Sequence, residues 1–177
     1  MLTKSDFQLF LDAPMHLWAH THNKLEEISP SLYEQHLMTQ GQQVESLAYQ
    51  FVKGFILPEY DNAELIWQHP YENGKYQIRV DALIFDQNTN TYDLYEIKSS
   101  TSVKKEHEID ITYQVLLLED QIPVREMFIL HINYNYQLED TLDLKQFFTY
   151  EAMSGKMEQL RQTVVRAREA AYAITQK

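Results

Sequence analysis

The chain has 177 residues, 44% of them hydrophobic, and a formal net charge of −11 from 15 Lys and Arg against 26 Asp and Glu. That apolar content is enough for a buried core, which excludes a disordered tail, and no apolar run nears the roughly 18–20 residues of a membrane helix. There is no cysteine, which excludes disulfides, thiolate metal sites, iron–sulfur clusters held by cysteine and a cysteine nucleophile. Met1 to Asp6 lacks the charged-then-apolar layout of a signal peptide, so the expectation is a cytoplasmic protein with no membrane contact. The acidity repels polyanions over most of the surface and, taken alone, argues against nucleic-acid binding.

In chain order, Ser5 to Gln8 fits a capping box and predicts a short helix that stops before Pro14. Met15 to Ala19 carries another turn or two. Ser31 to Glu34 is a second capping box and opens a helix to about Val52, with Val44, Leu47, Ala48, Phe51 and Val52 on one stripe. Gly41 either interrupts this helix or permits a close approach. The period then changes. Glu64 to His69 reads as a strand, Asn73-Gly74 as a hairpin turn, and Lys75 to Asp86 as a strand. In that strand Ile78, Val80, Ala82 and Ile84 share one face, opposite Arg79, Asp81, Leu83 and Phe85. After a turn at Gln87 to Asn90, Thr91 to Lys98 is a third strand. Val103 to Glu119 returns to helical spacing, with Ile109, Tyr113, Leu116 and Leu117 on one face and Ile111, Val115 and Leu118 on another, which implies burial on more than one side. Val124 to Asn133 is a fourth strand. Leu144 to Phe148 begins a helical tail, and Lys156 to about Ile174 is amphipathic and locally basic.

This order predicts an α/β fold, a mixed four-stranded sheet flanked by helices. We expect one domain over residues 1–177, with a core at about 41–135 and helical appendages at 1–40 and 141–177. An amphipathic end at Gln176-Lys177 suits a join to a further domain.

The informative charges lie on strand faces. Leu94, Glu96 and Lys98 share a face, because side chains two apart point the same way. Asp81 lies 15 positions before Glu96 across a short turn, so antiparallel pairing lets the two carboxylates converge. Two carboxylates and a backbone carbonyl, here that of Ile97, suit Mg²⁺ or Mn²⁺. Such an ion acidifies water and neutralises charge on a phosphoryl oxygen, while a lysine beside it orients the water or stabilises the transition state. Acid, acid and lysine on adjacent strands therefore suit phosphodiester hydrolysis. A Glu-x-Lys triplet alone says little, and on spacing alone Glu96 with Lys98 reads first as a cross-strand ion pair on an exposed face. Another carboxylate-x-Lys, Asp143-Leu144-Lys145, fits a solvated helix start.

Taken together, Glu96-Ile97-Lys98-Ser99-Ser100, Asp81 on the hairpin partner and Tyr113-Gln114 on the next helix resemble the PD-(D/E)XK nuclease superfamily. The resemblance is to its RecB-like branch, which includes CRISPR-associated RecB-like exonucleases. It extends to the N-terminal domain of an uncharacterised bacterial family, whose opening is similar to Leu2-Thr3-Lys4-Ser5-Asp6-Phe7. It covers about Leu2 to Tyr134 and implies a core order of helix, three strands, helix, strand. It implies an acidic group at Glu45, the motif acids Asp81 and Glu96, Lys98, and Gln114 with Tyr113. Metal would be held by Glu45, Asp81, Glu96 and Ile97. Several relatives in this branch bind an iron–sulfur cluster, but Ala13 stands where the first cysteine is expected, so no cluster forms here.

Helical angles place Glu45 at the flank of its apolar stripe and Gln114 and Asp110 at the flank of theirs. Asp110 is read as an ordinary boundary residue. His16, His20 and His22 have metal-ligand spacing but no carboxylate motif beside them, so a polar helix face next to Trp18 is preferred to a zinc site. Ser99, Ser100 and Thr101 suit either a phosphate contact or a turn that leads to Ser102 as helix cap. The sequence predicts a Mg²⁺- or Mn²⁺-dependent nuclease acting on DNA. The alternative is a non-catalytic nucleic-acid-binding or assembly module, with a further domain or protein partner. Ribonuclease action is not excluded.

Overall fold

A chain with period-2 segments between period-3.6 segments must stack a sheet against helices to bury both kinds of apolar face. The computed structural model describes residues 1–24 and 29–176. Lys177, the last residue of the expected tail, lies outside that range.

The elements run β1 (Leu2–Thr3), α1 (Lys4–Asp12), α2 (Pro14–Thr21), α3 (Leu32–Phe51), β2 (Ala63–Trp67), β3 (Pro70–Glu72), β4 (Tyr76–Arg79), β5 (Ala82–Asp86) and β6 (Thr91–Lys98). They continue with α4 (Lys105–Leu118), β7 (Val124–Ile132), α5 (Leu144–Phe147), β8 (Phe148–Ala152) and α6 (Ser154–Thr175). The main sheet has the order β2-β5-β6-β7-β8, with only the β6–β7 pair parallel. It is mixed and flanked by helices, as expected, and α3, β2, β5, β6, α4 and β7 reproduce the helix, three strands, helix, strand order.

The sheet has five strands rather than four. The tail expected to be helical from Leu144 turns after one helical turn into β8, which pairs antiparallel with the edge of β7. Phe148 is buried on that added strand.

A larger correction concerns the strand expected from Lys75 to Asp86. The Asn73-Gly74 turn is present, but it joins β3 to β4, which with β1 form a separate three-stranded sheet. The chain bends at Asp81 and enters the main sheet as β5. Ile78 and Val80 therefore join one core with Leu83 and Leu94, while Ala82 and Ile84 join the other with Tyr95 and Leu130. The bend breaks the alternation, so the single apolar face read across Ile78 to Ile84 is split between the two sides of the sheet.

One core lies under α1, α4 and α6, and the second under α3 and the turn Val52–Ile56. Helix α4 is enclosed from Asp110 to Leu118, as apolar groups on two of its faces require. Its cap is Lys104, not Ser102, and the His107 ring accepts the Lys104 amide at 3.2 Å. Helix α1 also starts earlier than Ser5. Thr3 and Asp6 form the reciprocal capping box, with Thr3 Oγ1 accepting the Asp6 amide at 3.1 Å and Asp6 Oδ2 accepting the Thr3 amide at 3.0 Å. An ionised carboxylate accepts such a bond more strongly than a glutamine amide, and the shift makes Lys4 the first helical residue.

Three contacts tie this N-terminal segment to the rest. Leu2 pairs with Tyr76 in parallel, its carbonyl accepts the Tyr113 hydroxyl at 3.0 Å, and Phe7 stacks on Tyr113. Leu2 and Phe7 are fully buried, which contributes about 1.5–3 kcal/mol each.

Candidate functional site

Strand β6 carries two kinds of face. Tyr95 and Ile97 turn toward α3, while Leu94 packs in the core beneath α4, so Glu96 and Lys98 follow Leu94 to the α4 side. The β5–β6 register pairs Ala82 with Tyr95, and one step further sets Asp81 opposite Glu96. Asp81 Oδ2 accepts the Ile97 amide at 2.8 Å. The bend that divides the expected strand thus supplies the carboxylate facing the end of β6.

Glu96 is 1% exposed, and both its oxygens are engaged. Gln114 Nε2 donates to Oε2 at 2.7 Å, and Lys98 Nζ donates to Oε1 at 2.8 Å. Lys98 also reaches Asp110 Oδ2 at 2.5 Å. Asp110 is therefore no boundary residue, since it is buried beside Gln114 and holds the lysine of the motif. With α4 covered on nearly every side, a flank position on that helix is an interior position.

Lys4 is the residue that the sequence did not single out. Its ammonium donates to Glu96 Oε1 at 2.6 Å and lies 3.3 Å from Asp110 Oδ2. In the sequence Lys4 appears only within the Leu2-to-Phe7 opening of the resemblance, and the Thr3-to-Asp6 capping box sets where the helix begins. Glu96 and Asp110 are thus bridged twice, by Lys4 and by Lys98.

These contacts fix the electrostatics. Burial pushes the Glu96 carboxyl up, but Lys4 and Lys98 outweigh it and hold the group well below the usual carboxylate range. Burial also works against the charge on both lysines, and the facing carboxylates hold them charged nonetheless. Asp81 behaves in the opposite way. It is pushed up to about 8 by burial and by the Glu96 charge, against the pull of Lys4, the Ile97 amide and Lys98. Asp110 is also raised, by burial and then by Glu96. One carboxyl of the group, Asp81, thus lacks a cation of its own. Asp110 Oδ1 and Gln114 Oε1 are buried acceptors with no hydrogen-bond partner among the described residues.

The remaining expected residues divide. A pocket of about 220 Å³ is lined by Gly41, Glu45, Asp81, Ile97, Lys98 and Ser99, so Glu45 and Ile97 face the same space as Asp81. Gly41 lies within the unbroken α3 and lines this pocket, and a Cβ there would meet nothing within 4 Å, so neither the interruption nor the close approach is found. Glu45 also accepts a hydrogen bond from Gln68, which in turn accepts one from Arg79. Gln68 adopts a φ of 50° and donates its amide to the Asp81 carbonyl at 2.9 Å, so it ties α3 to the bend. Tyr113 is not in the cluster, since its hydroxyl is spent on the Leu2 carbonyl. On the far side of Lys98, a second pocket of about 350 Å³ runs between α1 and α4 past Asp110 and His107.

Among the described residues no three His, Asp or Glu side chains form a ready-made metal cluster. For the histidines of α2 the reason is visible, because His22 stacks on Trp18 and bonds its carbonyl at 2.8 Å. For Glu96, its oxygens are committed to Lys4, Lys98 and Gln114. The donor chemistry still fits a hard divalent cation, with oxygen groups only, one carboxyl, Asp81, without a counter-ion, and two buried oxygens, on Asp110 and Gln114, that lack partners among the described residues.

Neither a protein-family model nor a curated protein sequence matches the chain. Solved structures do match its fold. An alkaline exonuclease from Laribacter hongkongensis aligns over 97% of this chain and 89% of its own, with a TM-score of 0.53 and 12% identity. The same enzyme in complex with dAMP aligns over 97% and 87%, with a TM-score of 0.57 and 14% identity. A phage-related exonuclease from Haemophilus somnus aligns over 91% and 79%, with a TM-score of 0.53 and 12% identity. The chain is therefore similar in fold to these nucleases.

Proposed function

We propose that the protein is a divalent-metal-dependent nuclease of the PD-(D/E)XK kind, hydrolysing phosphodiester bonds in DNA. The observation that carries the reading is the meeting of Asp81, Glu96, Lys98 and Gln114 at the end of β6, in register across two strands and one helix. Glu45, Asp81, Glu96 and the carbonyl of Ile97 are the groups to hold Mg²⁺ or Mn²⁺. A bound cation there would supply Lewis acidity toward a phosphoryl oxygen and lower the pKa of water.

The chain's own groups supply the rest. Gln114 fixes the orientation of Glu96 through Oε2, and the Ile97 amide fixes Asp81. Asp110 and Glu96 together hold the ammonium of Lys98, which borders both the pocket that Asp81 and Glu45 line and the one past Asp110, where it would meet an attacking water or a phosphate oxygen. Burial of Glu96 and Asp110 excludes bulk water and strengthens each of these interactions. The fold likeness to exonucleases, one of them with dAMP bound, supports a nucleic-acid substrate. With a net charge of −11, binding should be weak without metal and steeply salt-dependent. The RecB-like branch and a cytoplasmic location complete the proposal.

The test is cleavage of end-labelled single- and double-stranded DNA with Mn²⁺, wild type beside Asp81→Ala and Lys98→Ala. Cleavage by wild type, lost in both variants, supports the reading. Equal turnover in the variants removes it, and inactivity in all samples with no metal binding leaves the assembly module.

A further inference from the structure

From the double bridging of Glu96 we infer that Lys4 occupies a cation position in the metal-free site and is displaced when a divalent ion is bound. The inference rests on the nuclease reading above and adds to it a residue and a loading step.

The reasoning begins with lone pairs. A carboxylate oxygen offers about two acceptor positions. Glu96 Oε1 already receives Lys4 at 2.6 Å and Lys98 at 2.8 Å, and Oε2 is given to Gln114 at 2.7 Å. Oε1 is thereby filled, so coordination through it requires one of the two lysines to leave, and an ion that takes the remaining position on Oε2 still meets both ammonium groups on the same carboxylate. Gln114 is fully buried, and its movement would strand a second amide atom beside an oxygen that already lacks a partner. Lys98 makes two short contacts, 2.8 Å to Glu96 and 2.5 Å to Asp110. Lys4 makes one short contact and one of 3.3 Å, so it has the least to lose.

Lys4 also has somewhere to go. It borders a groove of about 330 Å³ between the start of α1 and β4, lined by Thr3, Ser5, Gln77 and Arg79. Rotation of its flexible four-carbon stem carries the ammonium out of the cluster without moving the backbone, which the Thr3–Asp6 box and the Leu2 pairing hold in place. Two ammonium groups on one oxygen repel each other, and a divalent ion at the site adds to that repulsion. Lys98 stays on Asp110, its partner in either state. Lys4 is thus a positioning residue that keeps Glu96 and Asp110 neutralised without metal and sets the concentration at which metal can load.

The test is calorimetric titration of Mn²⁺ alone into the full chain, without DNA, for wild type, Lys4→Met, Lys4→Arg and Asp81→Asn, each checked for folding by thermal melting. Lys4→Met removes the competing charge and should bind Mn²⁺ about tenfold more tightly, within the usual range of coupling between two linked events. Lys4→Arg places a planar fork on both carboxylates and should bind Mn²⁺ more weakly than wild type. A residue with a purely structural role would weaken binding in both variants. Unchanged or weaker binding by folded Lys4→Met overturns the inference. If that variant does not fold, Lys4→Arg decides, and binding equal to or tighter than wild type overturns it. Loss of binding in Asp81→Asn with no effect at Lys4 leaves the metal site standing and removes only the inference. Wild-type affinity in Asp81→Asn with tighter binding in Lys4→Met keeps the inference and removes the nuclease ligand set. Absence of binding in every sample removes both.

Discussion

The protein carries two partly buried charge clusters at opposite ends of β6, and they are built to different rules. At the start of the strand, Arg125 sits between Asp93 and Asp86. It meets both Asp93 oxygens in a fork, Nε to Oδ1 at 2.9 Å and Nη2 to Oδ2 at 2.5 Å, and reaches Asp86 at 3.0 Å. The Tyr60 hydroxyl and the Glu126 amide complete Asp93 at 2.6 and 3.2 Å. At the end of the strand, two lysines serve Glu96 and Asp110 as point charges, and among the described residues Asp81 pairs with no cation and two buried oxygens have no partner. Both clusters hold one more carboxylate than they hold cations. The first spreads that excess over a partly exposed, fully hydrogen-bonded rim, and the second concentrates it beside pockets on two sides. A planar guanidinium suits a closed structural link, whereas ammonium groups on flexible stems can be rearranged.

The comparison breaks most readily on activity. Lys98→Ala should lower DNA cleavage by about 10²–10³-fold, the usual loss for one transition-state donor, while Asp93→Ala leaves the rate per folded molecule within about twofold. Rates with labelled DNA, normalised to folded protein, check this, and equal losses in both variants would erase the distinction. On stability the order reverses. Asp93→Ala should cost about 2–3 kcal/mol, because it removes the charged acceptor of the Arg125 fork, the Tyr60 hydroxyl and the Glu126 amide at once, while Arg125 keeps Asp86. Urea unfolding of metal-free protein measures it.

A smaller effect follows from Asp81. Its carboxyl, ordinarily near 3.8, is pushed up to about 8 in the folded protein by burial and the neighbouring Glu96 charge. The folded state holds that proton more tightly, so this group's contribution to stability is complete below about pH 4 and is lost as pH rises through about 8. Asp81→Asn should therefore match wild type at pH 4 and exceed it at pH 9 by about 1–3 kcal/mol without metal. Denaturant midpoints across that range show it, and a parallel pH dependence in the two proteins would contradict it. The smallest effect belongs to Tyr113→Phe. Losing one hydrogen bond to the Leu2 carbonyl should cost about 1 kcal/mol by thermal melting, with Mn²⁺ affinity unchanged within twofold.

Much of this arrangement is visible before folding. Alternation from Thr91 to Lys98 puts Leu94, Glu96 and Lys98 on one face, and the short turn before it brings Asp81 opposite Glu96. The apolar spread over α4 correctly implies an enclosed helix, yet the same spread hides Asp110, since on a helix buried all round angular position no longer separates boundary from interior. The break at Asp81 was hidden because Lys75 to Asp86 alternates without interruption, and alternation does not tell which of two sheets receives each half. Strand β8 was obscured by its adjoining Asp143 cap and helical turn, since edge pairing to β7 is a long-range event.

The sequence by itself therefore determines what covalent geometry controls: the face each side chain takes along a strand, the positions that a short turn sets opposite one another, and the carboxylate–carboxylate–lysine set these produce. Only the tertiary structure decides which cations attend those acids. Lys4 and Glu96 stand 92 positions apart, and no local period links them. They meet because β1 pairs with β4, Tyr113 pins Leu2, and the Thr3–Asp6 cap starts α1 at Lys4. Packing of distant segments sets that distance, and with it the charge balance of the site.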